Sequence, residues 1–143
     1  EKLFKIAKEK KIAIIARVPL ASGLLSGKFN KDSSFASDDH RNYNIKGDAF
    51  DIGETFSGVN YLKGLDAIED LKSILPDGMT LSQLSLKWIL MHDAVSVVIP
   101  GAKNKDHVQL NTNSSEVDEI SFLMNAINDI YKKYFYDDIH HRW

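Results

Sequence analysis

Residues 12–28 and 95–111 share one design: a short run of branched apolar residues, then a loop of small residues, then lysine. In the first, Ile12, Ile14, Ile15 and Val18 lead into Pro19, Leu20, Ala21, Ser22 and Gly23, with Lys28 beyond. In the second, Val95, Val97, Val98 and Ile99 lead into Pro100, Gly101, Ala102 and Lys103. Residues 12–18 are almost continuously apolar, the pattern of a parallel strand covered on both faces rather than the alternation of a half-exposed antiparallel one. Two such strands separated by helical sequence imply an α/β chain with right-handed parallel crossovers.

The intervening sequence supports that order. Leu3, Phe4, Ile6 and Ala7 fall on one helical stripe, and no N-cap precedes them, as if the helix were entered partway. Residues 29–61 are rich in Ser, Asp, Asn and Gly without clear periodicity, too long for a plain connection and of the kind that forms lids or stays disordered. Leu65, Ile68, Leu71 and Ile74 recur at helical spacing until Pro76, Asp77 and Gly78 signal a turn. Thr80 and Gln83 form a capping-box pattern at the head of a helix over 81–92, with Leu81, Leu84, Trp88 and Met91 as its stripe. After the second strand comes a short helix around 105–110. A last helix, starting between 115 and 121, puts Leu123, Ile127, Ile130 and Tyr134 on one face. Phe4, Trp88, Phe122 and Phe135 read as core residues.

Both loops have the make-up of an anion site. Pro19 stiffens its turn and removes a donor, so Leu20, Ala21, Ser22 and Gly23 are left to offer amides and one hydroxyl to a diphosphate, over which Lys28 can close. A strand-ending proline turn, with glycine supplying unusual backbone angles, is the alternative. In the second loop Gly101 and Ala102 permit close backbone approach, Lys103 reaches a phosphate, and Asn104 opens a helix whose N-terminus favours anions. His107 and Asn111 lie one turn apart on one face of that helix. The alternative is a solvated, lysine-rich helix start, the better reading for Lys105.

These two strand-loop units, with the Phe56-Ser57-Gly58-Val59 run, the helix holding Trp88 and the end at His140, His141, Arg142 and Trp143, resemble the C-terminal portion of the aldo-keto reductase barrel. The fold so implied is α/β, about the last two strand-helix units of a (β/α)8 barrel, with residues 1–143 one segment of that domain. A whole barrel takes about 250 residues, so 143 residues with two strands cannot close one. The remaining barrel half, or self-association through strand edges and helix stripes, is therefore expected as partner.

By this resemblance, Pro19, Leu20, Ala21, Ser22, Gly23 and Lys28 meet the pyrophosphate of NADP, with Arg41 as an adenosine-side clamp. Gly101, Ala102, Lys103, His107 and Asn111 hold the adenosine, and Lys103, then Lys105, is the candidate for the 2′-phosphate. Two positions depart from the family pattern. Arg17 stands where many members place an aromatic residue on the nicotinamide, and Leu110 stands where a carboxylate often precedes the adenine-contacting Asn. The implied function is NADPH-dependent reduction of an aldehyde or ketone, in the cytoplasm, by the protein of which this sequence forms the dinucleotide-binding part.

The tyrosine, lysine, aspartate and histidine that donate the proton in the family belong to the first half of the barrel. None of Tyr43, Tyr61, Tyr131, Tyr134 and Tyr136 follows a strand as that set requires, so no catalytic residue is assigned and these 143 residues alone are expected to be inactive. A non-catalytic regulatory subunit resembling the potassium-channel β subunits, and a remnant that only associates, are the alternatives. The terminal His140-to-Trp143 segment could line the substrate mouth or simply pack on the surface.

Composition excludes other classes. With 43% hydrophobic residues and a formal net charge of −2, there is no general electrostatic pull toward nucleic acid or membrane. No apolar run reaches the roughly 20 residues that span a bilayer. Cysteine is absent, removing thiolate chemistry, and Asp38, Asp39 and His40 or His140 and His141 lack a third ligand at fixed spacing, so no metal is assigned.

Overall fold

The computed structural model describes residues 2–142, so Glu1 and Trp143, with the surface or substrate-mouth role considered for Trp143, lie outside it. In chain order the elements are helix α1 (Lys2–Glu9), strand β1 (Ile14–Arg17), a kinked 3₁₀ turn (Ala21–Ser26), α2 (His40–Tyr43), 3₁₀ turns at Ile52–Glu54 and Phe56–Gly58, α3 (Tyr61–Ser73) and α4 (Leu81–Leu90). Strand β2 (Val95–Ile99), α5 (Lys105–Asn113), a turn at Ser121–Leu123, α6 (Met124–Tyr134), α7 (Tyr136–Ile139) and a turn at His140–Arg142 complete it.

The strands pair in parallel, with Ala16 opposite Val98 and Arg17 opposite Ile99. Both chains therefore leave the sheet at the same end. Ala16 and Val98 are half-buried on the side covered by α4, whereas Ile15, Val97 and Ile99 are 60%, 41% and 53% exposed. Within the described residues the second face of β1 is open, in keeping with two strands of a larger barrel. Its sheet has two strands among the described residues, and nothing there lies over the second face.

Local signals start the helices as expected. Asn60 Oδ1 accepts the N–H groups of Leu62 and Lys63 at 3.0 and 3.2 Å, and Thr80 and Gln83 form the capping box at α4. The core lies on the helical side of the sheet. Leu24, Phe56, Ile68, Leu81, Leu84, Ile120 and Leu123 form one buried cluster against which Leu65, Leu71, Ile74, Trp88, Met91 and Ile127 pack. Gly64 lets α3 come close to the loop after β1, since a Cβ there would stand 2.7 Å from Leu24 Cδ2.

One further expectation fails for a local reason. Phe122 is 72% exposed, because in the tight turn around it Ile120 and Leu123 take the buried positions. On α1 only Ala7 is buried, and Leu3 is 68% exposed. Residues 29–61, expected to be a lid or disordered, are instead knit into the fold through fully buried Asn44, Thr55 and Phe56. The expectation that follows is energetic. Phe56, 1% exposed and ringed by Phe29, Phe35 and Tyr61, should lose about 3–5 kcal/mol of stability as Phe56→Ala, read from urea unfolding midpoints.

Candidate functional site at the strand ends

Backbone geometry marks the first loop. Val18, Ala21 and Ser22 have φ of 53°, 47° and 56°, in the left-handed region that a β-branched residue such as Val18 rarely enters. Phe56 and Ser57 adopt the same region, at 50° and 58°. The two strained segments hold each other: Ser22 Oγ donates to Glu54 O at 3.2 Å and accepts from Phe56 N–H at 3.1 Å. On the strand side, Arg17 donates to both carboxylate oxygens of Glu54, at 3.1 and 2.9 Å.

Within this loop Pro19 and Ala21 are buried. Ala21 N–H bonds Val18 O at 3.1 Å and Gly23 N–H bonds Leu20 O at 2.9 Å. The N–H groups of Leu20 and Ser22 have no partner among the described residues, so two of the four expected amides are open, while the Ser22 hydroxyl is turned inward to residues 54–56. Lys28 is exposed beyond the loop.

Arg41 comes to the same loop from α2. Its Nη1 lies 3.5 Å from Ser22 O, and its guanidinium covers the rings of Phe35 and Phe29 at 4.7 and 5.4 Å. Asp39 holds it there, accepting Arg41 Nε–H at 2.9 and 3.1 Å on its two oxygens. The hydrogen bonds from Arg41 pull the Asp39 carboxyl down to about 2, and those to Asp39 raise Arg41 further above its ordinary value.

The second loop is more open. Gly101, Ala102, Lys103 and Lys105 are exposed. Asn104 caps α5 by accepting His107 N–H at 2.9 Å, and the face predicted to carry His107 and Asn111 turns back onto the loop. Asn111 Nδ2 donates to Gly101 O at 3.3 Å, and Lys103 N–H makes a long 3.5 Å contact to His107 Nδ1. The strand register sets the two loops side by side, but no hydrogen bond or ion pair among the described residues joins residues 18–28 to residues 100–113.

Several residues of the site carry no sequence signal. Asn44 Oδ1 accepts Ala49 and Phe50 N–H at 3.0 and 2.9 Å while its Nδ2 donates to Thr55 Oγ1 at 3.1 Å, which fixes the segment before Glu54. His40 Nδ1 lies 3.2 Å from the same Thr55 oxygen. Between this segment and the end of β1 is a cleft of about 390 Å³, lined by Val18, Ser22, His40, Tyr43, Phe50 and Glu54. These contacts span long loops without period. Among the described residues no group of three or more His, Cys, Asp or Glu could hold a metal ion, and no helix is long and apolar enough to cross a membrane.

Two backbone-donor loops at one end of a parallel strand pair belong to the (β/α)8 class, here in part. The glycerol dehydrogenase AKR11B4 of Gluconobacter oxydans overlays on 92% of this chain, and on 38% of its own, with a TM-score of 0.73 at 22% identity. The model of the Aldo/keto reductase family matches residues 1–131, and the chain belongs to that family. Similar proteins include "Aldo-keto reductase str7" of Strobilurus tenacellus, 31% identical over 80% of this chain and 32% of its own length. A "Probable voltage-gated potassium channel subunit beta" of Arabidopsis thaliana is 34% identical over 78% of this chain and 31% of its own. The chain spans about a third of the length of these curated relatives.

The Asp39–Arg41 pair makes a pH-dependent contribution. Its folded carboxyl is depressed, so its stabilisation is present above the ordinary carboxylate range and is lost as pH falls toward about 2. Asp39→Asn should cost about 1–2 kcal/mol at pH 6 and progressively less below pH 4, in urea melts of both proteins. A deficit that does not change with pH would contradict the pairing.

Proposed function

We propose that residues 1–143 supply the dinucleotide-binding wall of an NADP-dependent aldo-keto reductase that reduces aldehydes or ketones in the cytoplasm. The observation that carries this reading is the convergence of two donor-bearing loops at one end of β1 and β2 in a chain of this family. The open N–H groups of Leu20 and Ser22 suit a diphosphate, and exposed Lys103 beside the N-terminus of α5 suits the 2′-phosphate. A relative in Schizosaccharomyces pombe carries NADP(+) in its name, in keeping with that choice.

When bound, reduced nicotinamide supplies hydride to the carbonyl carbon, and a proton delivered to the oxygen completes the alcohol. The chain's own residues bind and orient: Leu20 and Ser22 through backbone donors, Arg41 through a guanidinium already fixed by Asp39, Lys103 through charge. His107 and Asn111 act in this reading by shaping the loop at Gly101 as well as by facing the adenosine. A cofactor-binding regulatory subunit is the second reading, favoured by the potassium-channel β-subunit names among the relatives in Arabidopsis thaliana and Oryza sativa.

Lys103→Ala in the natural protein should weaken NADPH about ten- to a hundredfold and leave NADH nearly unchanged, by fluorescence titration of both cofactors. Equal losses would assign Lys103 elsewhere. The 143-residue polypeptide alone should give no saturable turnover of nitrobenzaldehyde with NADPH, since a missing acid-base group by itself removes about 10²–10⁴ in rate.

A further inference from the structure

Arg41 stands over the first loop with its polar edge turned toward protein. Asp39 takes Nε–H and Nη2–H on its two carboxylate oxygens, Nη1 donates to Ser22 O at 3.5 Å, and the guanidinium face lies on Phe35 and Phe29. The Arg41 side chain is 22% exposed and that of Asp39 21%. The cationic charge is therefore balanced at close range, and its directional hydrogen bonds are spent inside the fold. What the guanidinium reaches is the peptide between Ser22 and Gly23.

That peptide belongs to a strained loop. Val18, Ala21 and Ser22 are left-handed, as is Gly23 with φ 92°, and such backbone at non-glycine residues persists only where its surroundings over-determine it. Ser22 is fixed from two sides: Glu54 O and Phe56 N–H hold its hydroxyl, and Arg41 holds its carbonyl. Gly23 is packed close to the same groups, since a Cβ there would stand 3.3 Å from the Phe29 ring and 3.7 Å from Arg41 Nη1. Asp39 is itself anchored, because as N-cap of α2 it also accepts Arg41 N–H at 2.9 Å. A continuous set of contacts thus runs from Asp39 through Arg41 to the turn that leaves the N–H groups of Leu20 and Ser22 open.

We propose that Asp39 is a positioning residue for the dinucleotide: through Arg41 it holds the loop after β1 in its binding conformation before a ligand arrives. This rests on the reading of that loop as the diphosphate site and adds what keeps it ready. A loop released from Asp39 is competent for only part of the time, so its loss falls on the rate of association. Loss of a group that touches the phosphate falls on dissociation instead.

Stopped-flow binding of NADPH to the natural protein separates the two roles. Asp39→Asn should slow association about five- to tenfold with dissociation within twofold, and Asp39→Glu should recover most of the rate. Arg41→Lys keeps the charge but loses the planar fork, and should behave as Asp39→Asn does. Faster dissociation at unchanged association in these variants, or tighter NADPH binding by Asp39→Asn, would overturn the assignment by making Arg41 a phosphate ligand that Asp39 only screens. The ligand-free protein gives a second readout. In Asp39→Asn, amide relaxation dispersion absent from wild type should appear at Leu20, Ser22 and Gly23 and not at Gly101 or Lys103. Dispersion at neither loop, or equally at both, would overturn the proposal. If wild type binds no NADPH, the dinucleotide reading fails, and the dispersion result alone decides whether Asp39 holds the loop.

Discussion

The parallel pairing of β1 with β2 is the constraint on which the candidate site depends. With Arg17 opposite Ile99, the chain leaves both strands at one end, and every group considered for the dinucleotide lies in the loops that begin there or in α2 and α5 beyond them. A parallel pair forces a long connection, and here that connection carries α2, α3, α4 and most of the core. The same residues that cross between the strands therefore support the loops at their ends.

That support is most direct at the first loop, which is part of the core as well as part of the site. Ala21 and Leu24 are buried in the main cluster, Gly64 gives Leu24 room, and the Ser22 hydroxyl joins the loop to Glu54 and Phe56. Left-handed backbone at non-glycine residues costs of order 1–3 kcal/mol each and persists where surroundings over-determine it. Here Phe56 burial and the Ser22 bridge supply that determination, and the result is a turn with the N–H groups of Leu20 and Ser22 left open. The second loop is less constrained: it is anchored by Asn111 on Gly101 and the Asn104 cap, and its lysines stand in solvent.

What the sequence made legible follows from the range of the forces involved. Helices α3 and α4 were readable because their apolar period and caps are local: Asn60, Thr80 and Gln83 act within a few residues. Both strands were readable from their branched apolar runs, and their adjacency from the short list of topologies that parallel strands allow. Exposure of Ile15 follows from the same pattern: burial of a strand face depends on neighbours outside the strand, and a two-stranded sheet does not supply them on that side. Phe122 was misjudged because the chain there winds as a 3₁₀ turn, whose period differs from that of the helix it precedes. Asn44, Glu54, Tyr43 and Phe50 were invisible, since their partners lie across an aperiodic segment; Leu86, 1% exposed, was missed because α4 is covered on more than the one stripe counted.

The central claim is that the loops after β1 and β2 bind one ligand together. Its most direct test is an amide NMR titration of the natural protein with adenosine 2′,5′-bisphosphate and with NADPH. The account predicts that NADPH shifts the amides of Leu20, Ser22 and Gly23 together with those of Gly101, Lys103 and Asn104 along one saturation curve, while the bisphosphate shifts chiefly the second group. NADPH shifts confined to one loop, or two curves with different midpoints, would contradict it.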